Sequence, residues 1–295
     1  MTTMTDRYPS RVGGDLSITE RPDPVVWGDG QRRGPLDEGQ LKNFDHDGFL
    51  VLENVLDLDT VQRALDEIEH LRGDRETLAS HRAVLEPDSD ELRSLFEVHK
   101  TSTVFSELAR DPRLVDAARQ IVDDDVYIHQ SRINLKPAIH GKSFQWHSDF
   151  ETWHVEDGIP SMRTVSASIA LTDNHSWNGP LYVIAGSHRY YVAFPGVTPQ
   201  DNHLTSLKSQ EHGSPDQKTL EWLLDRGEIA TFEAPAGSVL FFDCNIMHGS
   251  PNNISPLPRT NGFLVYNSVE NAAVEPFGTD EARPEHIATR EPDVI

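Results

Sequence analysis

The sequence predicts a mainly β fold with flanking helices, built on a double-stranded β-helix (jelly-roll, cupin-like) core. Three observations carry this. From residue 126 onward, the runs VYIHQSRINLKPA, FQWHSDF, TVSASIALTD, GPLYVIAG, GSVLFFDCNIM and GFLVYNSV are short, β-like and broken by Gly, Pro, Asn and Asp; this spacing suits a double-sheet barrel whose mouth can hold a ligand. Most segments with helical periodicity precede that point. Histidines and an acid at metal-ligand spacing fall in both halves of the β-region, which argues for one domain.

Residues 1–38 are rich in Pro, Gly, Arg and Asp and are expected to form an irregular N-terminal arm. A single domain then spans 39–295, with its jelly-roll core over about 126–270. DGFLVLENVL (47–56) reads as a short strand. Asp59 is expected to cap the next helix with Gln62 as its capping-box partner; Val61, Ala64, Leu65, Ile68 and Leu71 keep helical spacing and Gly73 ends it. The charged stretch 74–92 reads as a loop with helical pieces. Asp111-Pro112 opens a helix with Leu114, Val115, Ala118 and Ile121 on one face. Ser214-Pro215 and Gln217 mark an inserted helix ending by Gly227.

At 295 residues, 37% of them apolar, with five Trp and twelve Phe, the chain can bury a sizeable core. Its 48 acids against 26 bases give a net charge of −22. That excess disfavours nucleic acid and anionic membrane surfaces as partners and favours solubility. The single cysteine, Cys244, forbids an intrachain disulfide and sits in an apolar run that offers a thiol no activation. The start MTTMTDRYPSRVGGD lacks the apolar core of a signal peptide, and no run of about 18 apolar residues is present. A soluble cytoplasmic protein is expected.

The chemistry concentrates in FQWHSDFETWH, residues 144–154. On a strand, His147 and Asp149 would project to one face, and His248, closing the run GSVLFFDCNIMHGS, supplies a third ligand. Two histidines and a carboxylate on one side of an ion form the facial triad of non-haem iron oxygenases. In a chain with 14 histidines a bare His-x-Asp pair is weak, and a strand histidine bonded to an acid is the plain alternative. Imidazole also suits zinc or copper, so a zinc hydrolase and a cupin-like metal-binding sensor without turnover stay open. Arg259 shifts the balance to iron with a keto-acid co-substrate. It lies 11 residues after His248 and opens a strand on which Arg259, Asn261 and Phe263 share a face, and its planar fork matches a carboxylate. Ser250 either hydrogen-bonds that carboxylate or is a turn residue before Pro251. Trp153, Phe242 and Phe263 are either core aromatics or a cage for a cation. His154 and His188 read as structural.

The order His-x-Asp, a long gap, His, then Arg resembles the 2-oxoglutarate-dependent dioxygenases. FQWHSDFETWHVEDGIP and MRTVSASIALTDNHSWNGPLYVIAGSH narrow this. They resemble the ectoine hydroxylases, a branch of the phytanoyl-CoA dioxygenase-like group, from about Gln130 to Arg259, with weaker echoes in DHDGFLVLENVL and RPEHIATR. The resemblance implies Fe(II) on His147, Asp149 and His248, 2-oxoglutarate and O2 as co-substrates, and hydroxylation of ectoine, a compatible solute, to 5-hydroxyectoine with release of succinate and CO2. It further implies Asn134, Phe144 and Ser166 around 2-oxoglutarate with Arg259 and Ser250. Gln130 would meet the substrate ring, Trp153, Phe242 and Phe263 its cationic face, and Arg283 its carboxylate, although on residues alone Arg283 is an exposed C-terminal arginine. It also suggests a homodimer. The nearest rival is a same-group hydroxylase of another small amine or acid.

Overall fold

The computed structural model describes residues 5–86, 91–208, 210 and 212–295. In chain order its strands are β1 (Ser17–Glu20), β2 (Phe49–Leu52), β3 (Ala83–Leu85), β4 (Leu92–Phe96), β5 (Val126–Lys136), β6 (Phe144–His147), β7 (Thr164–Ala170), β8 (Tyr182–Ile184), β9 (Tyr190–Ala193), β10 (Ile229–Thr231), β11 (Val239–Asp243), β12 (His248–Ser250) and β13 (Arg259–Ser268). They form a seven-stranded sheet in the order β2-β11-β7-β13-β5-β4-β3 and a four-stranded sheet in the order β10-β8-β12-β6. Among the described residues the strand pairs of both sheets are antiparallel, and the two sheets make the jelly roll.

Period-2 alternation gives the large sheet two apolar faces. Val165, Ala167 and Ile169 of β7, Val239 and Phe241 of β11, and Leu264 and Tyr266 of β13 pack outward. They meet Leu114, Val115, Ala118 and Ile121 of the helix Pro112–Val122, and Val61, Ala64 and Ile68 of the helix Leu58–Gly73. Leu240, Phe242, Ala170 and Phe263 point inward against Leu181, Val183 and Phe232. A register shift between Val265 and Tyr266 opposite β5 absorbs one residue. A residue inserted in this way reverses the facing of every side chain beyond it, and Gln130, Arg132 and Asn134 accordingly line the barrel cavity.

The N-terminal arm is more regular than expected. β1 pairs with β9 in a two-stranded sheet, and Trp27–Gly30 forms a 3-10 turn. Buried ion pairs, Arg21 Nη1 to Asp243 Oδ2 at 2.7 Å among them, lock the arm to the barrel. Long-range partners of this kind leave no local periodicity to read. Residues 1–4 of the arm and 87–90 of the charged loop lie outside the described residues; the rest of that loop holds the helical turn Arg75–Leu78 and β3.

The helix Leu58–Gly73 begins earlier than Asp59 suggested. Asp57 is the cap: its backbone is extended and its carboxylate accepts from Thr60 N at 2.8 Å. Asp59 sits in the first turn, where the helix dipole favours it, and Gln62 donates to Asp66 instead of to a capping backbone. The preceding helix, Glu38–Asp47, does have a capping box, made by Asp37 and Gln40, and ends at Gly48 with φ +80°. A Cβ there would lie 2.3 Å from His188 Nδ1, so glycine lets the chain turn into β2 against that ring. The inserted helix is Gln217–Leu224, capped by Asp216.

The two aspartates make a paired test. Asp57→Ala should lower the urea midpoint clearly and Asp59→Ala by much less. Equal losses would show that the cap is not Asp57.

Candidate active site

β6 and β12 pair with His147 directly opposite His248. Adjacent strands therefore bring together two rings that are 101 positions apart in the chain, with centroids 4.2 Å apart. Each ring is oriented by its own strand: His147 Nδ1 donates to Gln145 O at 2.8 Å and His248 Nδ1 to Ile246 O at 3.0 Å. A carbonyl can only accept, so Nδ1 carries the proton and the Nε2 lone pairs face inward. They face Asp149, with His147 Nε2 3.5 Å from Oδ1 and His248 Nε2 3.7 Å from Oδ2.

Asp149 does not continue the strand. β6 ends at His147, Ser148 is the extended N-cap, and Asp149 is the first residue of the helical turn Asp149–Thr152. The carboxylate thus sits at a helix N-terminus, which favours negative charge, while Phe150 N donates to Cys244 O at 2.8 Å and fixes the turn. A π-helical turn, Trp153–Asp157, follows and ends at Gly158. His154 leaves the metal site: its ring bonds Ile159 O and Asp6. His188 bonds Asp45 O.

The three ligand atoms lie within 4.8 Å of one another, and all three residues are buried. Burial alone would raise the Asp149 pKa, but the charges of His248, His147 and Arg132 outweigh it and hold the carboxylate well below its usual range. Burial, reinforced by His147, pushes His248 down to about 4. Asp149 is therefore ionised at neutral pH with the two Nε2 atoms turned toward it, the donor set that a divalent cation with open positions requires.

The triad borders a cleft of roughly 790 Å³, part of it open to solvent. Of the residues singled out in the sequence, Gln130, Asn134, Phe144, Trp153, Ser250, Arg259, Phe263 and Arg283 also line it. Ser166 and Phe242 do not. Ser166 lies mid-sheet between Phe242 and Val265, its buried Oγ without a partner. Phe242 packs in the core with its ring centroid 5.2 Å from His248, backing that ligand instead of meeting the cleft. Arg283 is buried, not exposed: its Nε and Nη2 grip Asp157 at 2.7 and 2.6 Å.

Arg259 is 2% exposed, and among the described residues no carboxylate pairs with it. Nη2 donates to Asn134 Oδ1 at 3.0 Å, and among the described residues Nε has no hydrogen-bond partner. Burial, with Arg93 nearby, lowers its pKa to about 10. A buried guanidinium with an orphaned donor is poised for an anion. Ser250 Oγ accepts from Lys136 Nζ at 2.7 Å. Phe144 is held between Arg93, 5.6 Å from its centroid, and the His147 ring at 4.9 Å.

Sequence reasoning missed Arg132. Its guanidinium lies 4.8 Å over the Phe263 ring, donates to Gln130 Oε1 at 2.5 Å and has an unpartnered Nε. The available signal was its place midway between Gln130 and Asn134 on a period-2 face. Thr152 and Gln210, which also line the cleft, gave no such signal.

The phytanoyl-CoA dioxygenase family profile matches residues 44–261. This chain belongs to that family. Among its phytanoyl-CoA dioxygenase relatives, it is 50% identical to an ectoine dioxygenase of Streptomyces avermitilis over 291 residues, covering 99% of this chain and 98% of that one. A Bordetella bronchiseptica ectoine dioxygenase is also 50% identical, over 97% and 93% of the two chains. The crystal structure of EctD from S. alaskensis with 2-oxoglutarate and 5-hydroxyectoine superposes with a TM-score of 0.89 at 43% identity, covering 98% of this chain and 96% of that one. The same protein with bound Fe gives 0.88 at 44%, covering 98% and 97%. The carbocyclase SnoK, at 19% identity, 88% and 93% coverage and a TM-score of 0.65, shares the fold.

The histidines give the metal-free protein an acid-sensitive fold. Burial also pushes His99 down to about 4. Between pH 6.5 and 4 the unfolded chain binds protons that folded His99 and His248 refuse, so stability falls as pH drops through that window. The slope is up to about 1.4 kcal/mol per pH unit for each ring. Urea midpoints at pH 7.5, 6 and 5 should decline in that order; a flat series contradicts the assignment.

Proposed function

We infer that this chain hydroxylates ectoine to 5-hydroxyectoine, with 2-oxoglutarate and O2 consumed and succinate and CO2 released. The single observation that carries the reading is the pairing of a His147–Asp149–His248 ligand set with two guanidinium groups in one cleft, buried Arg259 and part-buried Arg132, to which no carboxylate is hydrogen-bonded among the described residues. Two such cations call for two anionic ligand groups, one from a dicarboxylic co-substrate and one from a carboxylated substrate. The ectoine dioxygenases that match the whole chain, and the EctD structure with 2-oxoglutarate and 5-hydroxyectoine, support the choice of ligands.

His147, Asp149 and His248 would hold iron(II). When bound, iron(II) with O2 and 2-oxoglutarate supplies the oxidising power that replaces a C–H bond by C–OH. The protein supplies placement. Arg259, steadied by Asn134, takes the far carboxylate of 2-oxoglutarate through a planar fork, and Ser250 adds a hydroxyl at the same end. Phe144 closes the side next to His147. Arg132 and Gln130 face the substrate space, with Arg283 held in place by Asp157. The Phe263 and Trp153 rings offer the faces that suit the delocalised cation of a small cyclic zwitterion. Burial of these groups keeps bulk water from the reacting carbon.

Among the described residues no helix is long and apolar enough to cross a membrane. A cytoplasmic homodimer without nucleic-acid or membrane contacts, serving the osmotic stress response, completes this reading; the net charge of −22 supports the absence of those contacts.

The deciding experiment is incubation with iron(II), 2-oxoglutarate and ectoine in air. One oxygen should be added to ectoine with an equimolar yield of succinate; unmodified ectoine, with a product from another small amine or acid instead, would transfer the chain to a sister activity. His147→Ala and Asp149→Ala should each abolish product formation, whereas full activity in either would refute the ligand set. Arg259→Ala should raise the KM for 2-oxoglutarate by roughly 10- to 100-fold, the loss of a charged hydrogen-bonded pair, while changing the KM for ectoine far less.

A further inference from the structure

The segment after Asp149 carries an unusual burden of buried charge. Glu151 and Glu156 are 0% and 2% exposed, and among the described residues their only salt-bridge partner is Arg11, itself 2% exposed, from the N-terminal arm. Arg11 Nε and Nη2 donate to the two oxygens of Glu151 at 3.0 and 2.5 Å, Nη1 donates to Glu156 Oε1 at 2.6 Å, and Nη2 also reaches Thr152 Oγ1 at 3.1 Å. Ser10 Oγ adds a bond to Glu151 Oε1 at 2.5 Å. Arg11 is held from behind, with its N–H donating to Phe194 O and its backbone in the left-handed region at φ 55°. A non-glycine residue stays there only where its surroundings fix it.

We propose that Arg11 is a positioning residue for the substrate wall of the cleft, binding the arm to the turn that presents Asp149, Thr152 and Trp153. Thr152 and Trp153 line the cleft, and Asp149 heads the same turn. The Arg11 fork spans four acceptor atoms on three residues within that turn and the next, so it ties both turns to the arm. Arg259 stands at the start of β13, which makes none of these hydrogen bonds; Val265, six residues further along that strand, shares an apolar cluster with Phe150 and Trp153. At its far end the segment has a second tie, Arg283 on Asp157, so Arg11 governs the part of it that holds Glu151, Thr152 and Glu156.

Arg11→Lys is the test. Lysine keeps one positive charge near Glu151 but cannot span Glu151, Thr152 and Glu156 together. In metal-free protein, amide hydrogen exchange over 149–157 should quicken about tenfold or more while β13 exchanges at its wild-type rate. The KM for ectoine should rise about five- to tenfold with the KM for 2-oxoglutarate within about twofold of wild type. This kinetic half rests on the proposed ectoine reaction. If the wild-type protein does not hydroxylate ectoine, that reading fails alone, because the exchange measurement needs no substrate. Should Arg11→Lys not fold, Glu156→Gln keeps the Arg11–Glu151 pair and should give a smaller change confined to the same segment. Unchanged exchange over 149–157, quickening spread evenly through the chain, or equal rises in both KM values would overturn the proposal.

Discussion

The register of β6 against β12 is the constraint on which the rest depends. A shift of one residue would turn His147 or His248 away from the other and remove the cavity face of both. Several features defend the observed pairing. Backbone carbonyls of Gln145 and Ile246 fix both rings. Phe144 and Phe242 pack against them. The turn bearing Asp149 is tied by Phe150 N to the chain just before β12. The ligand set is thus a property of a sheet edge stiffened on all sides, and not of a loop that must find its partners.

Around that edge the barrel gathers charges that water would otherwise solvate. Arg93 is matched by Glu86 and Arg283 by Asp157, whereas Arg132, Arg259 and Lys136 have no acidic side chain bonded to them among the described residues. Burial lowers the pKa of all three, with neighbouring cations adding to the effect. Such a site is electrostatically incomplete. Its missing negative charge is what small carboxylated molecules bring, so affinity for them and relief of repulsion among the arginines are the same free energy.

Much of this was legible in the sequence because strand periodicity is a local property. His147, His248, Arg259 and Phe263 could be assigned to faces by counting, as could Gln130 and Asn134 once the family resemblance drew attention to them. What counting missed followed from interactions distant in the chain. Arg283 looked exposed because Asp157, its partner 126 positions earlier, carries no mark of the pairing. The arm looked irregular because β1 finds its hydrogen bonds on β9. Asp149 was expected on the strand of His147, yet helical geometry begins immediately after Ser148 and brings the carboxylate to the same place by another route. Phe242 and Ser166 share a sheet face with cleft residues but lie deeper, a distinction of depth that a two-state alternation cannot express. Asp57 and Asp59 are both plausible caps by composition; only the backbone angles choose between them.

The strand order has a consequence for biosynthesis. β13, the last strand made, occupies the middle of the large sheet, between β7 and β5. Without it the sheet would fall into β2, β11 and β7 on one side and β5, β4 and β3 on the other, each with a bare edge of unpaired amides. The 11-residue β5 is the longer of those edges and is mostly apolar on its outer face. A chain that lacks β13 would leave both edges bare, and closing the sheet needs contacts far apart in sequence. Arg259 opens that final strand, so the buried guanidinium of the cleft arrives in the same event that seals the sheet.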